Sequence, residues 1–343
     1  MTHSREWQLV RRPYGSPVAE DFRLVDVELP QPRAGDVVVR NTWLTVDPYM
    51  RGRMDDRESY VAPFALDAPM DGGAVGVVEE VGADVRSLAP GDTVLHGHGW
   101  RERVVLEAQR VQKVDTAVAP AQAYLGVMGM PGLTAYVGLL EIARMQPGEI
   151  VFVSAAAGAV GSLVGQIARL KGAAAVIGSA GGAEKCAWLV DGLGFDAAID
   201  YKAVREQGGS LRTALRGRAP DGIDVYFDNV GGEHLEAAIG CLRRHGRAAI
   251  CGMISQYNAT TPTPGPRNLA LLVQNRLTLQ GFLVGDHADV RPEFVIDMRE
   301  WLRADRIVWR ETVVDGIENA VTAFQRLLSG GNTGKMLVRL EQP

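Results

Sequence analysis

The 343-residue chain is poor in the residues on which several classes of protein depend. It has three cysteines, none of them in a C-x-x-C pair, which excludes a four-thiolate zinc site and argues against structural disulfides. Only 6% of the residues are aromatic, and a net charge of −5 leaves no basic excess for nucleic acid or an anionic membrane. The first residues show no apolar run typical of a signal peptide, so we expect a cytoplasmic protein.

Charged residues are also absent from the stretch between Ile150 and Ala168. The stretch is rich in Ala, Gly and Ser rather than Leu and Phe, which argues against a membrane helix. Its β-branched beginning, Ile150–Ser154, predicts a buried strand, and an apolar period from about Ala159 predicts a helix. With a further strand over Ala174–Ile177, the stretch predicts a strand, turn, helix and strand unit.

Small residues fill the predicted turn between the first strand and the helix. They would let a dinucleotide pyrophosphate lie against bare backbone at a helix N-terminus, where N–H groups and the helix dipole favour negative charge. Ala156 stands at the first position of the usual three-glycine fingerprint, so the specificity of the pattern comes from the complete unit. The predicted cofactor contacts in this turn are Ala157, Gly158, Ala159, Val160 and Gly161.

The acidic residue that usually holds the ribose of NAD is missing after the second strand, where Gly178–Gly182 carries no carboxylate. Lys185 follows three residues later and is suited to a phosphate group. The pattern predicts NADPH, with its 2'-phosphate near Ser179, Gly181 and Lys185. The neighbouring Glu184 could replace the missing acid, so NADH stays open as the alternative.

The sequence predicts two domains that differ in their pattern of secondary structure. Short strands separated by Pro, Gly and Asp turns occupy the first 115 or so residues and suggest a small barrel. From Gly148 onward strands alternate with helices, which predicts a doubly wound parallel sheet of the Rossmann type and an α/β fold class. We expect residues 125–295 to form the nucleotide-binding domain, and residues 1–124 with 296–343 to form the barrel domain.

Several motifs in the same order resemble the medium-chain dehydrogenase/reductase superfamily. The segments DPYMRGRM (Asp47–Met54), MGMPGLTAY (Met128–Tyr136), FDNVGG (Phe227–Gly232) and ISQYN (Ile254–Asn258) resemble its zinc-free branch. That branch contains prostaglandin reductases, leukotriene B4 12-hydroxydehydrogenase and 2-alkenal reductases, and bacterial NADPH-dependent curcumin reductases are the nearest group. The resemblance implies a GroES-like barrel domain that carries the substrate, beside the Rossmann domain.

The resemblance also bears on metals and on assembly. Zinc-containing members carry a Gly-His-Glu motif, whereas the matching stretch here, Asp71–Gly73, lacks both His and Glu, so we expect no metal. His96 and His98 could place two imidazoles on one side of a strand, but no third ligand is evident. An apolar strand over Leu277–Val284 could pair edge to edge, and we expect a homodimer as in many relatives.

The resemblance implies a role for each of several side chains. Tyr257, in the loop after the fifth strand of the sheet, would stabilise the charge that develops on the substrate. Substrate-pocket residues would be Tyr49, Arg51 and Tyr60. Further cofactor contacts would come from Met130, Thr134, Tyr201, Asn229, Cys251, Gly252, Asn332 and Gly334.

Structural roles compete with several of these assignments. Tyr257 could be a solvated loop residue, Arg51 could form an interdomain ion pair, and the segment with Met130 and Thr134 could serve interdomain packing. Asn332 lies in a glycine-rich turn and could serve the turn itself. Cys251 is more typical of a small core residue than of a nucleophile.

A nicotinamide site without a metal suits activated alkenes better than simple ketones. Hydride adds to the β-carbon of an α,β-unsaturated ketone or aldehyde, and a neutral hydrogen-bond donor suffices to stabilise the enolate. We therefore expect an NADPH-dependent reductase of enone and enal double bonds. A quinone reductase is the alternative within enzymes, and a non-catalytic nucleotide-binding scaffold or redox sensor is the alternative outside them.

Overall fold

A computed structural model describes residues 2–340 and divides the chain into two compact units. The β unit comprises Met1–Gly126 and Glu311–Pro343, and the α/β unit comprises Val127–Arg310. No helix among the described residues is long and apolar enough to cross a membrane.

The strands, in chain order, are β1 (His3–Leu9), β2 (Phe22–Glu28), β3 (Asp36–Thr45), β4 (Ala68–Pro69), β5 (Ala74–Val81), β6 (Thr93–His96), β7 (Arg103–Glu107), β8 (Gln112–Lys113), β9 (Ile150–Val153), β10 (Ala175–Ala180), β11 (Ala197–Asp200), β12 (Ile223–Asp228), β13 (Leu242–Ile250), β14 (Thr278–Gly281), β15 (Glu311–Asp315) and β16 (Lys335–Arg339). The α-helices are α1 (Tyr49–Arg53), α2 (Met130–Val137), α3 (Gly161–Leu170), α4 (Ala183–Ala187), α5 (Tyr201–Glu206), α6 (Leu211–Arg218), α7 (Gly232–Ile239), α8 (Ala270–Asn275), α9 (Arg291–Arg303) and α10 (Ala320–Leu328).

The β unit is built around β3, which is buried along most of its length and pairs with β5, β7 and β16. The larger sheet has the order β15-β16-β3-β5-β6-β8, and a smaller one has the order β2-β1-β4. Because β16 pairs antiparallel with β3, the end of the chain returns to the unit in which it began, as the sequence predicts. One apolar core of this unit combines Leu44 and Met50 with Phe324 of α10.

The α/β unit contains a six-stranded sheet in the order β11-β10-β9-β12-β13-β14, and all its strand pairs are parallel. The chain runs outward from β9 in one direction, then restarts at β12 and runs in the other. The strand order therefore reverses between β9 and β12, the point at which open α/β sheets bind ligands at their carboxyl ends. This arrangement, with the separate mixed sheet of the β unit, confirms the predicted α/β class.

The second boundary between the units falls after Arg310, later than the predicted end of the nucleotide-binding domain at residue 295. Helix α9, which spans the predicted boundary, packs within the α/β unit. The Tyr136 hydroxyl donates hydrogen bonds to Glu293 Oε1 at 2.8 Å and Asp297 Oδ2 at 2.9 Å. The ring of Phe294 lies edge-on to Tyr136, with 5.8 Å between ring centroids. These contacts join α2 to α9, which lie far apart in the sequence. No local sequence pattern therefore marks the boundary between the units.

Candidate cofactor and active site

The turn after β9 requires a glycine at its end. A Cβ atom on Gly161 would lie 2.5 Å from the carbonyl oxygen of Ala155 and 2.7 Å from Cα of Ala156. Any side chain at position 161 would therefore push α3 away from the turn. Ala155 itself has a φ of 45° in the left-handed region, which reverses the chain direction. The turn uses the residues up to 160, so α3 begins at Gly161 rather than near Ala159.

The predicted pyrophosphate residues differ in accessibility. Ala157 is 4% exposed and lies under the turn, whereas Gly158, Ala159 and Val160 are partly exposed before the helix. The N–H group of Ser162, in the first turn of α3, donates a hydrogen bond to the Gly158 carbonyl at 3.1 Å. The turn therefore presents backbone, with very little side chain, at the N-terminus of a buried helix.

Asp228, at the end of β12, organises the neighbouring loop. Its side chain is fully buried, and Oδ1 accepts hydrogen bonds from the Tyr226 hydroxyl at 2.6 Å and from the N–H groups of Gly231 at 2.8 Å and Val230 at 2.9 Å. The Ser154 hydroxyl, just after β9, lies 3.2 Å from the same oxygen. Burial raises the pKa of Asp228, and these hydrogen bonds oppose the shift. The carboxyl group thus joins β9 to β12 where the strand order reverses.

Asn229 serves the same junction. Its side-chain amide donates to the carbonyl oxygen of Ser154 at 2.8 Å, and its backbone N–H donates to Ser154 Oγ at 2.9 Å. The side-chain amide of this predicted cofactor residue is therefore engaged in the turn after β9. The N–H groups of Cys251 and Gly252 donate to the Asp228 carbonyl at 2.9 and 3.1 Å, which brings the end of β13 to the same edge.

Tyr257 lies in the loop after β13, as expected, and its hydroxyl approaches the carboxyl edge of the sheet. The Oη atom is 3.0 Å from the position that a Cβ atom on Gly252 would take. A single 3-10 turn, Ile254–Gln256, leads into the tyrosine and fixes the reach of its side chain. At the same edge, burial and then the charge of Asp228 raise the pKa of the Cys251 thiol to about 12. The raised pKa favours the protonated thiol, and contact of Cys251 with the cofactor stays a prediction.

Ser179 is placed differently from the sequence expectation. Strand β10 continues through Ala180, so Ser179 lies within the strand and is fully buried. Its Oγ is 3.0 Å from Nε2 of His234, a buried residue of α7. The hydroxyl is engaged inside the unit, and contact of Ser179 with the cofactor stays a prediction.

Two polar side chains, those of Tyr201 and Lys202, meet at Gly181, the residue after β10. A Cβ atom on Gly181 would lie 3.1 Å from Tyr201 Oη and 2.9 Å from Cε of Lys202. Burial lowers the pKa of Lys185, and the charge of the nearby Lys202 lowers it further. Two ammonium groups and a phenol near a bare glycine are suited to an anion, and this predicted anion site also has the Asp200 carboxylate beside it, which accepts a hydrogen bond from the Gly182 N–H at 3.0 Å. Glu184, which could have bound a ribose instead, is exposed on α4.

Met130 and Thr134 occupy the first turns of α2. Thr134 is 6% exposed, and its hydroxyl donates to the Met130 carbonyl at 2.7 Å, so it hydrogen-bonds within its own helix. In the β unit, the side-chain amide of Asn332 donates to the Gly334 carbonyl at 2.7 Å. Gly334 has a φ of 67°, so this amide stabilises the turn before β16. The cofactor roles of these four residues stay predictions.

Of the three predicted substrate residues of the β unit, one is a buried arginine that is hydrogen-bonded within the unit, and two are tyrosines with accessible surface. Arg51 is 3% exposed, and its guanidinium donates to the Gly15 carbonyl at 3.0 and 3.1 Å and to Asp55 Oδ1 at 2.7 Å. It holds this segment to the Gly15 loop, and its ion pair with Asp55 lies within the β unit rather than between domains. Its assignment to the substrate pocket stays a prediction. Tyr49 is half-buried, and Tyr60 is 64% exposed. Burial and then the charge of Asp47 raise the pKa of Tyr49, which keeps its phenol protonated.

The place of the zinc-binding histidine is filled by other side chains. A Cβ atom on Gly72 would lie 2.4 Å from Cε of Met50 and 3.4 Å from Nε1 of Trp100. The nearby His96 is 5% exposed and its Nε2 lies 2.9 Å from Asn41 Oδ1. Burial lowers the pKa of His96 to about 3. Within residues 2–340, no three His, Cys, Asp or Glu side chains are grouped as metal ligands would be.

A buried ion pair lies in the same unit. Lys335 Nζ, at the start of β16, donates to Asp47 Oδ1 at 2.9 Å and to the Val46 carbonyl at 3.0 Å. The Thr45 hydroxyl donates to the other oxygen of Asp47 at 2.8 Å. The pair fixes the chain immediately before the loop that contains Tyr49. No local sequence signal marks Lys335, His234 or Lys202 as a functional residue. Only the position of Lys202, directly after Tyr201, could have suggested a role for that lysine.

Comparisons with known proteins agree with this geometry. Residues 5–114 match a family described as the N-terminal domain of oxidoreductase, and residues 159–300 match one described as zinc-binding dehydrogenase. The chain is 46% identical to the putative NADP-dependent oxidoreductase YfmJ of Bacillus subtilis, with 100% of both chains covered. It is 41% identical to the NADPH-dependent curcumin reductase of Escherichia coli, covering 98% of this chain and 97% of the relative.

Among solved structures, CurA from Vibrio vulnificus in complex with NADPH superimposes with a TM-score of 0.92 at 42% identity, covering 99% of this chain and 100% of that one. The second family description names zinc, for which the residues present are unsuited because Met50 and Trp100 fill the space beside Gly72. The residues at Gly161 and Gly181, in contrast, fit a dinucleotide with an additional phosphate.

Proposed function

The chain belongs to the medium-chain dehydrogenase/reductase family, in the branch of NADP-dependent oxidoreductases that contains curcumin reductase, and we propose that it uses NADPH to reduce the carbon–carbon double bond of α,β-unsaturated ketones and aldehydes. The observation that carries the proposal is the Tyr257 hydroxyl, which lies over Gly252 at the carboxyl edge of the sheet. A phenol is a neutral donor, which suits an enolate better than the alkoxide of a simple ketone.

The cofactor would be held by two parts of the α/β unit. The turn that ends at Gly161 would receive the pyrophosphate against its backbone, and Lys185, Lys202 and Tyr201 would surround the 2'-phosphate at Gly181. When bound, NADPH supplies the hydride that adds to the β-carbon. Gly158 and Ala159 are partly exposed and small, so little side chain would separate the backbone before α3 from the phosphates.

Tyr257 would donate a hydrogen bond to the carbonyl oxygen of the substrate. Negative charge develops on this oxygen as the β-carbon accepts hydride, so the hydrogen bond strengthens in the transition state. A proton from water or a hydroxyl group then completes the α-carbon. Within the β unit, Tyr49 and Tyr60 are the accessible side chains proposed to contact the substrate, and Arg51 holds their loop in place.

The first test is a substrate panel of enones, alkenals and curcumin, assayed by NADPH oxidation, with Kd values for NADPH and NADH measured in parallel. We expect turnover of the conjugated substrates and tighter binding of NADPH than of NADH. Normal NADPH binding without turnover of any substrate would contradict the proposal and favour a scaffold or sensor. A larger kcat/KM for quinones than for every enone would favour the quinone reductase.

The Tyr257→Phe variant tests the proposed donor. We expect kcat to fall by about 10²-fold while the Kd for NADPH is unchanged, because the hydrogen bond acts on the transition state of the substrate. Tyr14→Phe is the matched control, since Tyr14 is 85% exposed in the β unit. An unchanged kcat in the Tyr257 variant would remove this residue from the mechanism.

A homodimer and a cytoplasmic location belong to the same proposal. Strand β14 is an edge strand whose residues are mostly exposed, and it pairs with β13 on one side, so a second copy could extend the sheet. Light scattering should give twice the mass of the chain, and a monomer would contradict this part. The three cysteines are free, which suits a reducing compartment.

A further inference from the structure

His234 is a buried side chain for which the proposed reaction has no direct use. It lies in α7 and is 4% exposed. Burial lowers its pKa to about 4, so the imidazole is neutral near pH 7 and carries no charge that could bind a phosphate. Its value to the molecule must therefore come from what the ring touches.

The imidazole is fixed on one side by the sheet. Its Nε2 is 3.0 Å from the hydroxyl oxygen of Ser179, and Ser179 is fully buried in β10. A hydrogen bond between two buried groups of a strand and a helix sets the orientation of the ring, since breaking it would leave both groups unsatisfied.

The other side of the imidazole meets Tyr201. The two rings are edge-on, with 5.2 Å between centroids and 75° between planes. Tyr201 in turn extends its hydroxyl to Gly181, where a Cβ atom would lie 3.1 Å from Oη. The contacts thus run from Ser179 through His234 and Tyr201 to the anion site at Gly181.

We propose that His234 is a positioning residue for recognition of the cofactor's 2'-phosphate, acting through the Tyr201 ring. The imidazole holds the phenol beside the ammonium groups of Lys185 and Lys202, so that the three donors are arranged before the phosphate arrives. The inference rests on the proposed use of NADPH. It also gives Ser179 an indirect part in the site, as the anchor of His234.

The test compares ligands with and without the phosphate. For His234→Ala, we expect the Kd for 2',5'-ADP and for NADPH to rise by about 3- to 10-fold, because Tyr201 loses its aromatic support. The Kd for NADH should stay unchanged, and kcat at saturating NADPH should match the wild type. His234→Phe keeps an aromatic edge against Tyr201, so it should recover much of the affinity. Calorimetry gives each Kd without any turnover.

The outcomes separate this inference from the proposed function. An equal rise in Kd for NADH would show a general structural role and overturn the inference, as would an unchanged Kd for 2',5'-ADP. A wild-type protein that fails to bind 2',5'-ADP would overturn the proposed cofactor as well. Should His234→Ala fail to fold, Ser179→Ala, which removes only the anchor, must weaken 2',5'-ADP binding selectively for the inference to stand.

Discussion

Two buried aspartates, one in each unit, end a strand beside a loop of the candidate site, and their surroundings differ. Asp47 is 6% exposed and pairs with the ammonium group of Lys335 at 2.9 Å. Asp228 is fully buried, and its donors are neutral: the Tyr226 hydroxyl and backbone N–H groups. The same residue type is thus stabilised once by a charge from the far end of the chain and once by its own loop.

The difference shows how each loop depends on charge. Asp47 and Lys335 are 288 residues apart, so their ion pair secures β16 against the segment before Tyr49. At Asp228, burial raises the pKa of the carboxyl group, because burial disfavours its charged form more than its neutral form. We conclude that the loop of the β unit needs a charged partner, whereas the loop at Asp228 needs hydrogen-bond geometry.

The largest expected effect comes from removing the cation. Lys335→Met leaves the Asp47 carboxylate buried without its partner, and the free energy of unfolding should fall by about 3–5 kcal/mol. Urea unfolding followed by fluorescence measures the change. Lys113→Met is the matched control, because Lys113 is 59% exposed and its ion pair with Asp92 should contribute less than about 1 kcal/mol.

The double variant Asp47→Asn with Lys335→Met sharpens the same comparison. It removes both charges, so more than half of the lost stability should return. Equal losses in the single and double variants would mean that packing of the Lys335 side chain, and not the unpaired charge, is responsible.

A smaller effect is expected for Asp228→Asn, about 1–3 kcal/mol, since the amide oxygen can keep the hydrogen bonds of Oδ1 but the NH2 group would take the buried place of Oδ2, which has no hydrogen-bond partner. The cost should depend on pH. Because the folded-state pKa of Asp228 is raised, the wild type binds a proton more tightly when folded and loses stability as pH rises from about 4 through that pKa. Asparagine does not titrate, so the cost should be larger at pH 5 than at pH 8. A cost that grows with pH would contradict a raised pKa.

The same contrast explains what the sequence can predict. Features with a local signature are found: β9 begins at the predicted Ile150, the turn ends at Gly161, and Tyr257 follows β13. Lys335 pairs with Asp47 only after the chain has formed a whole second unit, so its neighbours in sequence give no sign of the pair.

Side-chain direction is the other limit on prediction from sequence. Ser179 is expected to face a phosphate because it follows the strand predicted to end at Ile177, but β10 ends three residues later, at Ala180, and the serine is buried within it. Arg51 likewise points inward to Gly15 and Asp55, a contact that depends on a loop 36 residues earlier in the chain. Burial of polar groups is decided by tertiary partners, which periodicity does not report.

The smallest effect compares one hydroxyl at each aspartate. Thr45→Val removes the donor to Asp47 Oδ2, and Tyr226→Phe removes the donor to Asp228 Oδ1. A hydrogen bond to a charged acceptor contributes about 1.5–3 kcal/mol and one to a neutral acceptor about 0.5–1.5 kcal/mol. Because Asp47 is paired with an ammonium group, while the raised pKa of Asp228 extends its neutral form to higher pH, Thr45→Val should destabilise the protein by about 1 kcal/mol more than Tyr226→Phe wherever Asp228 holds its proton. The gap should narrow as pH rises and Asp228 ionises. A gap that widens as pH rises would contradict a raised pKa of Asp228.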